Sequence, residues 1–150
     1  MPAGRKARGC LDDPLFRPPA RWPILGPLRK AIPIRALTDL SDGLSADLLK
    51  ILRHGPLGAG IHLDRVPVHP SLSETGTVDG IETHECAFLG GEDYELLVVE
   101  SGDAQSVDVI DLAGVPLTRI GKVTDSPTGI ECFWHGEPHT LSQRGFEHFG

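Results

Sequence analysis

A layered domain that alternates strands with helices, α/β or α+β in class, is predicted by three features of this chain. Beyond residue 34, apolar runs of strand length alternate with segments of helical period. Glycine and proline punctuate them, most sharply at Gly55-Pro56. And 150 residues, 39% hydrophobic and 23% charged, suffice for one self-sustaining core, because a chain of that length buries about 70% of its unfolded surface.

The elements follow in order. Residues 1–33 carry Pro14, Pro18, Pro19, Pro23, Pro27 and Pro33, a density that prevents regular pairing. Only 24–31 can make a short helix there, so 1–33 reads as a lead-in and linker that lies along another domain, and 34–150 as the folded domain. Residues 34–40 form a short strand. A helix follows over 43–53, with Leu44, Leu48, Ile51 and Leu52 on one face, and stops at Gly55-Pro56. Residues 60–66 read as a second strand and 79–89 as a weaker helix. The run Leu96-Leu97-Val98-Val99 makes 94–100 the clearest strand, apolar enough to be central in a sheet. Asp103 is placed to cap a helix reaching about residue 112, and 117–123 and 130–134 read as strands around the 125–129 turn.

A net charge of −7 argues against a broad nucleic-acid or anionic-membrane footprint, which needs clustered lysine and arginine. No apolar stretch approaches the roughly 18 residues of a membrane helix. The three cysteines, Cys10, Cys86 and Cys132, fit neither a CxxC pattern nor a disulfide framework, so a cytoplasmic setting is expected.

Two strings place acid at element boundaries: Asp39-Leu40-Ser41-Asp42-Gly43-Leu44 and Gly90-Gly91-Glu92-Asp93-Tyr94-Glu95-Leu96-Leu97. In the first, alternation along an extended chain puts Asp39 and Ser41 on one face and turns Leu40 inward. Asp42 and Gly43 then open the helix, whose positive end favours a phosphate. Two carboxylates beside a phosphate repel it unless a cation lies between. Mg²⁺ suits that place, because it takes one or two carboxylates together with phosphate oxygens and water. Ser41 or Asp42 acting only as an N-cap, worth about 1 kcal/mol, is the competing reading, and it leaves Asp39 unexplained.

In the second string, Gly90-Gly91 allows a free turn at the mouth of a strand, where layered folds commonly bind ligands. Alternation would put Glu92 and Tyr94 on one face and Asp93 and Glu95 on the other. Glu92 can accept hydrogen bonds from an amino-substituted ring or offset a cationic one. The alternative is that Glu92 and Asp93 are solvated turn residues. An acidic chain cannot draw in a polyphosphate by net charge, so a binding role requires a mediating cation and a surface shared by Asp39, Asp42 and Glu92. No P-loop, GxGxxG or GxSxG occurs. The seven histidines form no helical HxxxH or HExxH, since Gly136 and Pro138 interrupt His135–His139, and a structural zinc site is not expected.

Taken together, the two strings resemble the C-terminal domain of thiamine-monophosphate kinase, in the aminoimidazole-ribonucleotide-synthetase-like superfamily. Gly145-Phe146-Glu147-His148-Phe149 is similar to that family's closing aromatic segment, Arg17-Pro18-Pro19-Ala20-Arg21 to its linker, and Gly121-Lys122-Val123-Thr124 to a late strand. The resemblance implies a mixed central β-sheet flanked by helices. It also implies Mg²⁺-assisted, direct phosphoryl transfer from ATP to thiamine phosphate, giving thiamine diphosphate. By that likeness Asp39 and Asp42 would bind magnesium and Ser41 the ATP phosphates. Glu92 would contact the thiamine moiety and Phe146 would pack on its pyrimidine; no covalent catalytic residue is assigned. The family is typically homodimeric and carries an N-terminal ATP- and metal-binding domain. This chain is expected to lack that domain, as a truncated product or as half of a split enzyme completed by another chain, and so to turn over little alone. A selenophosphate-synthetase-like or hydrogenase-maturation-like enzyme is the alternative within the superfamily, and a non-catalytic ligand- or partner-binding module the alternative outside it.

Overall fold

The computed structural model describes residues 20–74, 76–78, 80–102 and 109–142. Cys10, the tail around Phe146, and the expected helix start at Asp103 lie outside them. A 3₁₀ turn at Trp22–Ile24 leads into α1 (Leu25–Ala31), and Ile24 and Leu28 are both buried. Strand β1 (Ile34–Asp39) and helix α2 (Leu44–Leu52) come next. Leucines four residues apart give α2 its apolar face: Leu44, Leu48 and Leu52 are all buried. Each contributes on the order of 2 kcal/mol by leaving water.

Those leucines meet Ala59 and Ile61 of β2 (Gly58–His62), Phe88 of α4 (Thr83–Leu89), Leu97 of β5 (Leu96–Glu100) and Cys132 of β9 (Ile130–Trp134) in one core. Burial, with the Glu85 charge second, pushes the Cys132 thiol up to about 11, which suits a small hydrophobe and not a nucleophile. The main sheet runs β10–β9–β2–β8, with β8 at Gly121–Thr124 and β10 at Glu137–His139. Strand β2 is antiparallel to β8 and parallel to β9, so the sheet is mixed, as expected. The chain leaves β8, passes the 125–129 turn and lands on the far side of β2. Among the described residues, no helix is long and apolar enough to cross a membrane.

Several elements differ from expectation. Strand β2 starts at Gly58 and ends at His62, and Leu63–Arg65 is a 3₁₀ turn. Pairing on both edges holds extended a Gly-Ala-Gly segment of low strand propensity. The 79–89 segment begins as a short hairpin, β3 (Thr77–Val78) with β4 (Ile81–Glu82), and only Thr83–Leu89 is helical. A single turn of helix, α3 (Pro70–Ser73), precedes it.

Val109–Leu112 is strand β6, not the end of a helix. It pairs with β7 (Val115–Thr118) across Ala113 and Gly114, both in the left-handed region, the two-residue turn that suits strand twist. The expected 117–123 strand is thus split between β7 and β8. His135 and Gly136 repeat that turn between β9 and β10, which no sequence signal had suggested. Strand β5 is not central: among the described residues it pairs with β1 alone.

Candidate functional site

Both acidic strings lie at the same end of the β1–β5 ribbon. Asp39 pairs with Leu96 as the last rung of the ladder, and the two chains stay bonded beyond it. Leu40 N–H donates to the Glu95 carbonyl (2.8 Å), Tyr94 N–H to the Leu40 carbonyl (2.8 Å), and Glu92 N–H to the Ser41 carbonyl (2.9 Å). The turns also interlock without side chains between them. A Cβ on Gly43 would lie 2.4 Å from the Gly90 carbonyl oxygen, and one on Gly91 3.0 Å from that of Ser41. Glycine is required at both positions by close approach, and at Gly43 also by a φ of 105°.

Asp39 and Asp42 are exposed and Leu40 packs on the core, so the expected alternation holds through β1, whereas Ser41 is half-buried like Leu40. The N-cap reading does not. Gly43 is the N-cap, and no side chain caps it. The helix start is served instead by Asp47, one turn inside α2 and only 1% exposed. Its Oδ2 accepts the N–H groups of Ser41 (2.9 Å) and Asp42 (3.1 Å). Its Oδ1 takes Lys50 Nζ at 2.6 Å, and the same ammonium reaches Asp42 Oδ2 at 2.6 Å. Asp42, then Asp47, raises the Lys50 pKa. Just ahead of the helix, the Ser41 and Asp42 N–H groups are thus taken by a buried carboxylate and are not open to an anion.

The expected facing of Glu92 with Tyr94 fails, because 91–95 is not yet strand. Glu92 (φ 68°) and Tyr94 (φ 53°) are both left-handed, a conformation that costs non-glycine residues on the order of 1 kcal/mol or more. Such strain gathers at functional turns, and Tyr94, 45% exposed, presents its ring to solvent from this one. Crowding by protein atoms, then the Glu95 charge, raises the Asp93 pKa. Glu95 itself is committed. It takes the Arg21 guanidinium in a two-pronged pair, Nε to Oε2 at 2.6 Å with the second nitrogen on Oε1, which clips the lead-in to the turn.

Among the described residues Asp39 and Glu92 have no ion-pair partner. The donor set on this seam is oxygen only, exposed, and does not close a three-ligand protein cage. That chemistry fits Mg²⁺ shared between one or two carboxylates, water and phosphate oxygens. Lys50 would compete at Asp42 or sit beside the ion. Phe146 lies outside the described residues. Sequence reading missed Asp47, Lys50 and Arg21. Asp47 left a signal: it falls three residues after Leu44 and one before Leu48, on the apolar face, where an acid must be paired.

Comparison with known proteins bears out the likeness read from the two strings. A family model described as AIR synthase related protein, C-terminal domain, matches residues 16–131. Thiamine-monophosphate kinase of Escherichia coli (strain K12) is 39% identical over 113 residues, 74% of this chain and 34% of that protein. That of Rhodopirellula baltica is 33% identical over 116 residues, 77% of this chain and 36% of its own length. The solved structure of AaThiL complexed with AMPPCP and TMP superposes with a TM-score of 0.67 at 25% identity, covering 99% of this chain and 44% of that one. Thiamine-monophosphate kinase from Stenotrophomonas maltophilia K279a gives a TM-score of 0.58 at 28% identity, over 84% of this chain and 39% of that one. The chain spans about a third of the length of the curated relatives it matches.

Proposed function

We propose, from the premise that the chain belongs to the family of AIR synthase related C-terminal domains, that it supplies part of the site of an ATP-dependent thiamine-phosphate kinase. The observation that carries this is the bonded seam: Glu92 N–H on the Ser41 carbonyl, with Gly91 pressed against Ser41 and Asp42. It brings a carboxylate suited to a cationic or amino-substituted ring beside a strand-to-helix turn suited to a metal-bound phosphate.

In this reading Asp39 and Asp42 hold Mg²⁺, which, when bound, neutralises charge on the transferring phosphoryl group. Ser41 offers its hydroxyl to the nucleotide phosphates. Lys50 keeps Asp42 oriented, and Asp47 holds the backbone of Ser41 and Asp42 in place. Glu92, fixed in a strained turn, faces the thiamine moiety, with Phe146 as a stacking partner. Direct transfer asks little covalent chemistry of the protein; alignment and charge neutralisation are the work. The solved relative complexed with AMPPCP and TMP supports this choice of ligands.

Calorimetry with Mg·ATP and with thiamine phosphate tests the assignment. Asp42→Asn is expected to weaken Mg·ATP about tenfold and leave thiamine phosphate unchanged, and Glu92→Gln to do the reverse. Equal loss of both ligands in both variants, or no binding of either by the parent chain, would overturn it.

A further inference from the structure

We propose that His84, Glu85 and His139 form a second metal site, one that takes a borderline divalent transition ion of the zinc class and is separate from the acidic seam. One ligand atom from each residue lies within 4.8 Å of the others. His84 and Glu85 are neighbours on α4, and His139 ends β10, so the set forms only when β10 lies beside α4. That separation hides it from any search for short histidine spacings.

Three features distinguish the cluster from an accidental gathering. Glu85 is 2% exposed, and its carboxylate is already aimed: the N–H of Ser142 donates to both oxygens (3.2 and 3.0 Å), and the Ser142 hydroxyl donates to Oε2. Metal-binding carboxylates are commonly oriented by such outer hydrogen bonds. Nε2 of His84 is buried with no hydrogen-bond partner among the described residues. A buried polar nitrogen left in that condition is unfavourable, and a bond to a metal ion would satisfy it. The His84 ring is held by stacking on Trp134 at 3.9 Å and meets His139 edge-on at 5.2 Å.

The geometry needs little adjustment. His139 Nε2 and Glu85 Oε1 stand 2.9 Å apart in a hydrogen bond. Tetrahedral zinc with bonds of about 2.0–2.1 Å sets neighbouring ligand atoms about 3.3 Å apart. Loading therefore widens that pair by a few tenths of an ångström and draws the farthest ligand atom inward by about 1.5 Å, within reach of a side-chain rotation. Two imidazoles and one carboxylate prefer zinc, cobalt, nickel or copper to magnesium, the opposite of the oxygen-only seam. The fourth position is left to water.

The full chain carrying Trp22→Phe, which leaves Trp134 as the sole indole, is titrated with Co²⁺ and dialysed against Zn²⁺. The expected result is one Zn²⁺ per chain, retained against excess Mg²⁺, with Co²⁺ quenching Trp134. His84→Gln and His139→Gln should each weaken binding at least about tenfold, and the exposed control His54→Gln should not. Absence of both quenching and stoichiometric Zn²⁺ in the Trp22→Phe chain overturns the proposal, whatever the histidine variants do. So does binding that Mg²⁺ displaces, or that survives either cluster variant.

Discussion

At the seam, Asp39, Asp42 and Glu92 stand in solvent on a backbone bonded turn to turn, whereas Glu85 is buried, with both oxygens bonded to Ser142 and one also to His139. Asp47 belongs with Glu85 by burial although it lies within the seam. The contrast separates two uses of one functional group. A buried carboxylate is held by N–H and O–H donors that leave little capacity for a ligand, and its removal strands those donors. An exposed carboxylate on a fixed backbone contributes little to stability; Asp42 is engaged by Lys50, whereas Asp39 and Glu92 have no ion-pair partner among the described residues. Glu85 keeps one avenue open, through the two histidines beside it.

Mutations that break the seam from beneath should have the largest effect. Gly43→Ala forces a Cβ to within 2.4 Å of the Gly90 carbonyl oxygen at a φ of 105°. A loss of about 4 kcal/mol in urea unfolding is expected, strain and overpacking together. A near-neutral result would mean that the turns are not interlocked. Asp47→Ala should follow at about 3 kcal/mol, since two backbone N–H groups lose their acceptor and Lys50 loses one of its two carboxylates. Asp39→Ala, measured the same way, should stay within about 0.5 kcal/mol; equal losses in the two would erase the distinction between buried and exposed acids.

Acid should act next on the buried cluster. Burial raises the Glu85 pKa, but the Ser142 hydroxyl, His139 and the Ser142 N–H outweigh it and leave the group below its ordinary 4.5. Burial, then the His139 charge, holds His84 below 6.5. Both folded values are depressed, so each group contributes stability that is present above its unfolded value and lost as pH falls through the folded one. The urea midpoint should drop as pH falls below 6.5 and again below 4.5, and His84→Gln should flatten the first fall. A midpoint constant from pH 7 to pH 4 would mean the cluster is not closed. The smallest effect belongs to Arg21→Ala. Its half-exposed pair with Glu95 should be worth less than about 1 kcal/mol, yet proteolysis ahead of α1 should quicken once the clip is gone.

Much of this was legible along the chain. The leucine spacing of α2, its stop at Gly55-Pro56, strands β1 and β9, and the two acidic strings need only local pattern and turn chemistry. Strand β2 was misplaced because its register comes from β8 and β9, not from Gly58-Ala59-Gly60. The segment ending in Val109–Leu112 read as a helix because a left-handed pair at Ala113-Gly114 is a weak signal beside a capping aspartate. The facing of Glu92 failed for a related reason: alternation presumes an extended chain, and hydrogen bonds to Leu40 and Ser41 impose left-handed turns instead.

Local sequence says which residues are chemically equipped: periodicity and turn residues act over a few positions, and the acidic strings can be read as strings. Which of those residues meet is a matter of the folded chain. Ser41 reaches Glu92, Arg21 reaches Glu95, and His84 and Glu85 reach His139 across tens of residues. Such pairings arise when burial of a shared core offsets the entropy of closing long loops, a balance that no local window of sequence contains.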